Sequence, residues 1–363
     1  MILQRNIPPA IARFCRTRRL LVTSAAVLTL LTPMSSQSVL AQTVGEVSVP
    51  NNGILTVSYS SDGKQIAGGS FDKTVKIWNA STGEVERTLV GHQGTVRTVA
   101  FAAHGSVLAS GSDDKTTILW DTKTGNRLRT LRGFKSQVFA LKFSTDGDVL
   151  WTGSGDLKAW DVATGEAMMT IPTNSRFVLS IDISKDGTTL VATSFNADRT
   201  VSAQVFELPS GRLLRRIGGK DFGVYRACFL PDGKHVASSF YSLTDGPSIR
   251  TWDNASGEEQ QSFRPKTKEI WAIALSANGK FLATGGEGPV VKTRRETRSL
   301  SGFTVWDLKS GEAKMTHEGS LGRLTSLCFS PNNQRVVYCD SATVSVVDVE
   351  SSDEVWSASF GAN

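Results

Sequence analysis

Short runs in which apolar and polar residues alternate return along this chain at intervals of about 40–55 residues. In the second copy the runs are 96–101, 107–112, 117–121 and 127–131, separated by glycine, Asp and Lys residues. Alternation with a period of two is typical of half-buried strands, and clusters of glycine and Asx favour tight hairpin turns. Each copy is therefore predicted to form four short antiparallel strands.

Seven such copies follow one another from residue 54 to the end of the sequence. Their predicted third strands end at 78–79, 120–121, 160–161, 206–207, 252–253, 306–307 and 347–348. Five of these ends carry a tryptophan that marks the blade: Trp78, Trp120, Trp160, Trp252 and Trp306. A fixed repeat of this length and strand content indicates a repeat architecture. The predicted fold is an all-β, seven-bladed β-propeller of four-stranded antiparallel blades.

The Trp-Asp pair that ends the third strand resembles that of the WD40-repeat family, and the resemblance covers essentially everything after residue 42. In that family a His, a Ser or Thr, an Asp and the Trp form a hydrogen-bonded set within a blade. Matched position by position, only the second copy carries the whole set: His92, Ser110, Asp114 and Trp120. The third copy has Phe134 in place of the His. The fourth copy has Phe206 in place of the Trp, and the Phe206 ring donates no hydrogen bond.

Two segments compete for the outer strand of the seventh copy. Residues 46–49 precede the first copy, and residues 354–360 follow the last copy at the expected spacing. In many propellers an N-terminal strand completes the last blade and hides its edge. Here the C-terminal segment has the better alternation, so we predict that it forms the fourth strand of blade seven.

Residues 1–41 differ from the repeats. Arginines precede an apolar run over residues 20–31, and small residues follow it up to Ala41. This order predicts a cleavable signal peptide over 1–41 and a single propeller over 42–363, located in the periplasm or outside the cell. Arg18-Arg19 in its context also resembles a twin-arginine export signal, and a mitochondrial targeting segment is the alternative. No later stretch approaches spanning length, so no membrane span is expected after cleavage.

The basic excess of the chain lies largely in that leader. The sequence has 40 Lys and Arg against 34 Asp and Glu, a net charge of +6. Five arginines and no acid fall in residues 1–41, which leaves 35 basic against 34 acidic residues in the remainder. A net charge of +1 gives no reason to expect nucleic acid or an anionic membrane as the partner.

No constellation in the sequence predicts catalysis. The four histidines do not cluster with Cys or acidic residues at metal-ligand spacing, and no nucleophile-elbow, phosphate-loop or dinucleotide motif stands in its required context. No catalytic residue, metal or cofactor is therefore expected. Cys328 and Cys339 lie on neighbouring predicted strands, where the sequence fits either free thiols or a disulfide.

The turns between the second and third predicted strands lengthen in copies four to six. The largest insertion, residues 286–302, contains several cations, and the shorter one in copy five contains an aromatic residue. Loops of this class emerge on one face of a propeller, so we predict that they recognise acidic groups of a partner protein. The candidate residues are Tyr241, Lys292, Arg294, Arg295 and Arg298. The competing interpretation is that exposed loops simply tolerate insertion.

The predicted function is that of a non-catalytic protein–protein interaction platform, a WD40-repeat scaffold exported from the cytoplasm. Packed blades hold the loops in fixed positions, which reduces the ordering cost of binding. Two alternatives stay open at this stage. One is an enzyme or small-ligand binder that uses the central channel, and the other is an envelope-associated structural protein without a specific ligand.

Overall fold

The computed structural model describes residues 53–218, 222–242, 246–265, 267, 269–292, 297–321, 323–340 and 342–359. All the regular structure in these ranges is β-strand, arranged in seven four-stranded sheets with antiparallel pairing of consecutive strands. The prediction of an all-β, seven-bladed β-propeller is confirmed. The described segments include no helix long and apolar enough to cross a membrane.

Each blade consists of four strands that are consecutive in the chain. Blade one consists of β1 (Ile54–Tyr59), β2 (Gln65–Ser70), β3 (Thr74–Asn79) and β4 (Val85–Val90), and blade two of β5 (Val96–Phe101), β6 (Val107–Ser112), β7 (Thr117–Asp121) and β8 (Arg127–Leu131). Blade three consists of β9 (Ala140–Phe143), β10 (Val149–Gly153), β11 (Asp156–Asp161) and β12 (Ala167–Pro172), and blade four of β13 (Ser175–Ile183), β14 (Thr189–Asn196), β15 (Val201–Glu207) and β16 (Leu213–Ile217). Blade five consists of β17 (Phe222–Phe229), β18 (His235–Ser242), β19 (Gly246–Asp253) and β20 (Glu259–Phe263). Blade six consists of β21 (Glu269–Leu275), β22 (Phe281–Lys292), β23 (Thr297–Asp307) and β24 (Ala313–Leu321). Blade seven consists of β25 (Ser326–Phe329), β26 (Arg335–Cys339), β27 (Thr343–Asp348) and β28 (Glu354–Ser359).

The first strands of the blades lie at the centre of the molecule. β1, β5, β9, β13, β17, β21 and β25 contact one another in this order, and β25 also contacts β1. The ring is therefore closed, and its central channel is lined by first strands. Because the strands are antiparallel, each first strand begins on the face that carries the turn between the second and third strands.

Apolar side chains fill the space between adjacent blades. One buried cluster, for example, joins Val75 and Ile77 of blade one to Val96 of blade two. Close approach of the sheets requires small residues near the channel: a β-carbon at Gly111 would lie 2.7 Å from Val138 Cγ1 of the next blade. Glycine at this position therefore sets the separation between blades two and three.

A second contact between blades recurs at the periphery. A side chain from the middle of a fourth strand reaches the turn of the following blade and donates to a main-chain carbonyl there. Arg87 Nη2 donates to Lys123 O over 2.7 Å, and Trp356 Nε1 donates to Ala80 O over 3.0 Å. The guanidinium groups of blades two and four donate to the corresponding carbonyls, Arg129 to Ala163 and Arg215 to Ala255.

Blade seven is completed by the C-terminal segment. β28 pairs with β27, which confirms the prediction for residues 354–360 as far as Ser359. The competing segment, 46–49, lies outside the described residues. In the described part of the chain, blades seven and one meet through side-chain packing and through hydrogen bonds such as Val57 N–H to Ser326 Oγ, 3.2 Å.

The insertion in blade six is not an irregular loop. β22 and β23 continue their pairing outward as far as Lys292 and Thr297, so most of the inserted residues lengthen the hairpin. The expectation of a loop over 286–302 is wrong for this part. The reason is that paired strands satisfy main-chain hydrogen bonds that a long exposed loop would leave to water.

Candidate functional site: the channel mouth

Blade two contains a chain of hydrogen bonds that runs outward from its core. The Trp120 indole N–H donates to Ser110 Oγ over 2.8 Å, and Ser110 Oγ lies 2.7 Å from His92 Nε2. His92 Nδ1 lies 2.9 Å from Asp114 Oδ2. Because an ionised carboxylate only accepts, His92 has a proton on Nδ1, and Ser110 can donate to Nε2. The structure therefore places the four residues of the predicted set in one network.

Asp114 makes blade two sensitive to acid. Burial acts to raise the pKa of this carboxyl, but hydrogen bonds from His92, Thr116 and the Gln93 main-chain N–H hold the pKa well below its usual range. Such a group stabilises the fold above its unfolded pKa of about 4, and the contribution disappears as the pH falls through the folded pKa. Asp114→Asn is therefore expected to be less stable than wild type at neutral pH, with a difference that shrinks between about pH 5 and pH 2. Urea unfolding across this range measures it, and a constant difference would contradict the prediction.

The other blade-marking tryptophans lie at the same place, next to the end of the third strand, and are buried. Trp160, Trp252 and Trp306 each donate to a hydroxyl of the neighbouring second strand over 2.8–2.9 Å. Trp78 is fully buried in the core of blade one. The tryptophan–hydroxyl bond thus occurs without the full set, and these residues stabilise blades.

The channel mouth is shaped by repeated β-bulges. Five first strands shift register at the same point, one residue after the first buried position. A bulge redirects the extra side chain away from the regular pleat. The bulged residues are all half-buried and lie where the first strands begin: Leu55, Arg97, Leu179, Tyr225 and Trp271. Phe139 and Thr325 occupy the corresponding positions of blades three and seven.

Aromatic rings and guanidinium groups meet at this mouth. Arg97 lies over the Phe139 ring at 5.8 Å, and the Tyr225 and Trp271 rings are 6.3 Å apart. Arg323, from the segment before β25, lies over the Trp271 ring at 5.5 Å. Distances of this size permit favourable cation–π contacts. The contacts form two groups, Arg97 with Phe139 and Tyr225 with Trp271 and Arg323, and we call the five residues together the channel-mouth cluster.

The cations of the channel-mouth cluster are partly compensated. Arg97 makes a two-point contact with Asp113, with N–O distances of 2.8 and 2.7 Å, and Arg323 Nε lies 3.9 Å from Glu287 Oε2. The Arg97 contact is fixed by two hydrogen bonds, whereas the Arg323 pair is longer than a hydrogen bond. Arg323 is therefore the cation more readily available to a partner.

Two polar groups of the cluster are unusual. Burial, followed by the nearby Glu269 and Tyr241, raises the pKa of Tyr225 to about 12, so its hydroxyl stays protonated at neutral pH. The Trp271 indole N–H is buried and has no hydrogen-bond partner among the residues that the structure describes. An unmet buried donor costs about 1–3 kcal/mol. An acceptor brought by a partner would recover this energy if the ring turned toward it.

Of the five predicted partner-binding residues, the structure describes the side chain of Tyr241. Tyr241 lies near the end of β18 opposite Gly223, on the face of the channel mouth, is half-buried and lies close enough to Tyr225 to affect its pKa. The side chains of the four candidate cations lie outside the described residues: Lys292, Arg294, Arg295 and Arg298.

The sequence analysis missed the channel-mouth cluster. Its signal was a single column of the repeat, the residue that follows the first buried position of each first strand. In copies two, three, five and six this column holds Arg97, Phe139, Tyr225 and Trp271. Its aromatic members look like ordinary members of apolar runs, and Arg97 looks like a polar position of an alternating strand, so alternation gave no reason to separate them.

Cysteines and metal ligands form no further site in this part of the molecule. Cys328 and Cys339 lie on paired strands, β25 and β26, and the structure shows both as free thiols. Burial raises the pKa of the Cys339 thiol to about 12, which suppresses the reactive thiolate. Among the described residues, no group of three or more His, Cys, Asp or Glu side chains could hold a metal ion.

These observations define a rigid β-propeller with a side-chain cluster at one end of its channel. Residues 42–79, 83–121 and 257–292 match the family described as WD domain, G-beta repeat. These matches bear out the resemblance seen in the sequence: the chain carries WD40 repeats at three positions, and its seven-bladed architecture is consistent with a WD40-repeat family.

Relatives among curated proteins share part of this chain. Target of rapamycin complex subunit wat1 from Schizosaccharomyces pombe is 28% identical over 147 residues, which cover 40% of this chain and 40% of that protein. Apoptotic protease-activating factor 1 from Rattus norvegicus is 32% identical over 188 residues, covering 52% of this chain and 14% of that protein. The chain therefore spans less than half the length of these relatives.

Solved structures show the same fold. A chain of Kuenenia stuttgartiensis Hydrazine Synthase superposes with a TM-score of 0.70 and 16% identity, covering 84% of this chain and 97% of that chain. At this level of identity the likeness concerns the fold alone, because one propeller architecture hosts many unrelated functions.

Proposed function

We propose that this protein is a non-catalytic interaction platform that binds a protein partner at its channel mouth. The observation that carries the proposal is the channel-mouth cluster itself. Three bulge residues, Arg97, Tyr225 and Trp271, lie at the same position of their first strands, and Phe139 occupies the corresponding position of blade three. Tyrosine, tryptophan and arginine are the side chains most enriched at the energetic centres of protein interfaces.

Rigidity supports the same function. The cluster rests on first strands, each of which is packed between two neighbouring blades. Side chains held by regular strands lose little further freedom on binding, so less of the interaction energy is spent on ordering. The relatives are consistent with this proposal, since one of them is described as a subunit of a complex.

The test is capture of a partner by the mature chain, residues 42–363, from its native compartment. We expect Trp271→Ala and Tyr225→Ala to lose a partner that the wild type retains, because each removes an aromatic ring from the mouth. The control is Lys185→Ala, an exposed residue of the first hairpin turn of blade four, on the opposite face. A partner retained by both mouth variants, or lost with Lys185→Ala alone, would refute the channel mouth as the interface.

Export from the cytoplasm is the second part of the proposal. It is supported by the order of arginines, apolar run and small residues in 1–41. Mass spectrometry of the native protein tests it: we expect a mature chain that begins at Gln42 and fractionates with periplasmic or secreted proteins. A native chain that keeps residues 1–41 and remains in the cytoplasm would refute this part.

A further inference from the structure

The strongest unexplained group in the molecule is Arg226, directly after the bulge residue Tyr225 in β17. Its Nε donates to Trp271 O over 3.2 Å, and its Nη1 donates to Leu179 O. Those carbonyls belong to the bulge residues of blades six and four, which flank blade five. The guanidinium therefore bridges the inner strands of three blades at the channel, just below the mouth.

Arg226 has no counter-charge. In the part of the chain that the structure describes, no carboxylate oxygen lies within the 4.0 Å that defines an ion pair with its guanidinium. Burial alone lowers its pKa, to about 10, so the group stays protonated at neutral pH. Carbonyls satisfy two of its five N–H donors but do not neutralise its charge. A largely buried cation without a partner is costly.

The acid on the adjacent first strand, Asp182, is held by other groups. Asp182 Oδ1 lies 2.7 Å from Lys142 Nζ, and Asp182 Oδ2 accepts the Phe229 N–H over 2.8 Å. Both oxygens of this carboxylate are thus committed to other groups. Lys142 and Asp182 therefore balance each other across blades three and four, whereas Arg226 has no carboxylate partner among the described residues.

We propose that Arg226 receives a carboxylate side chain from a peptide segment that enters the channel mouth. This inference rests on the proposed function and specifies the partner: an Asp or Glu with apolar or aromatic neighbours. Within the described part of the chain, three N–H donors of the Arg226 guanidinium have no acceptor, and a guanidinium can bind a carboxylate through two donors at once. Tyr225 and Trp271 stand at the entrance, where they would contact the apolar neighbours of the acid.

Peptide selection on the full chain tests the ligand class. A random heptapeptide library is panned on the wild-type protein, and an enriched peptide is synthesised with its acid and with the matched Glu→Gln or Asp→Asn change. We expect enriched peptides to share an acid beside an aromatic or aliphatic residue, and the amide peptide to bind at least about tenfold more weakly. Absence of binding peptides, or equal binding of the acid and amide peptides, would overturn the proposal.

Variants of Arg226 test the residue. In Arg226→Met the acid and amide peptides should bind equally, whereas Lys185→Ala should keep the preference for the acid. Since Arg226→Met can weaken packing of three blades, Arg226→Lys provides a second variant. It keeps the positive charge but loses the planar guanidinium that binds a carboxylate through two N–H groups. We expect Arg226→Lys to keep part of the preference. An unchanged preference in both variants would overturn the assignment.

Competition by free anions distinguishes a site for a peptide carboxylate from a site that binds any small anion. Inorganic phosphate and acetate are added to the peptide complex at constant ionic strength. Weak competition by both agrees with a carboxylate carried by a peptide, whereas saturable binding of phosphate without acid-dependent peptide binding would overturn the proposal. A captured partner whose binding needs Trp271 but not Arg226 would leave the platform intact and refute only this inference.

Discussion

Ser110→Ala is expected to lower the free energy of unfolding by about 2–6 kcal/mol. The Ser110 hydroxyl connects two members of the blade-two network. It accepts from the Trp120 indole N–H and lies 2.7 Å from His92 Nε2. Its removal leaves both of those buried groups without a partner, and each costs about 1–3 kcal/mol. Urea unfolding followed by tryptophan fluorescence measures the loss.

Ser238→Ala provides the matched control. Ser238 occupies the equivalent place in blade five, is equally buried, and accepts from Trp252 over 2.9 Å, and none of the described histidines is hydrogen-bonded to it. Only one buried donor loses its partner there, so the expected loss is about 1–3 kcal/mol. The difference between the two variants isolates the contribution of His92. Equal losses would show that His92 adds nothing to the stability of blade two.

The second large effect is expected at the junction between blades seven and one. Trp356 donates to Ala80 O and covers Gly83, where a β-carbon would lie 2.7 Å from the indole. Large aromatic residues replaced by alanine in a core cost about 3–5 kcal/mol, and the half-buried Trp356 should cost about 2–3 kcal/mol. Trp356→Ala should therefore lower the stability of the propeller and raise hydrogen exchange in β1 and β25.

Arg129→Ala is the control for position within the ring. Arg129 makes the corresponding contact with Ala163 between blades two and three, which are also joined by the chain itself. We expect a loss of about 1 kcal/mol or less and no rise in exchange at β1 or β25. Blades seven and one lack this direct chain connection, so the same kind of contact matters more there. Similar exchange in the two variants would contradict a special role for the junction.

The turn lengths in the sequence and the side-chain contacts in the structure indicate the same face of the propeller as the proposed interface. Turn lengths in the sequence pointed to the face of the second-to-third turns and to Tyr241. The structure places Tyr241 close enough to Tyr225 to affect its pKa, and Tyr225 belongs to the channel-mouth cluster. What the sequence could not supply was the cluster itself, because its members lie roughly 40–90 residues apart in the chain and come into contact only when neighbouring blades pack. The proposed interface is therefore centred on the channel rather than on the insertion of blade six.

Charge shows the same division. A net charge of +1 over residues 42–363 predicts no strongly charged surface, and composition does not show which charges pair. Among the described residues, the structure pairs Lys142 with Asp182 and Arg97 with Asp113, whereas the Arg226 guanidinium contacts main-chain carbonyls. At the proposed site, we expect Arg226 to influence ligand choice more than the net charge does, because a low-dielectric surrounding strengthens its field.

The sequence by itself determined the fold of this protein. Alternation, turn glycines and a seven-fold repeat are local signals, and each blade satisfies its main-chain hydrogen bonds between strands that are neighbours in the chain. Blade count and strand order follow from such signals, and the blade-two set follows from the resemblance to the WD40-repeat family. The tertiary structure decided where the bulges lie, which cations find a carboxylate, and how blades seven and one meet. These features depend on how strands pair in register and how blades pack against one another, which local signals along the chain do not specify.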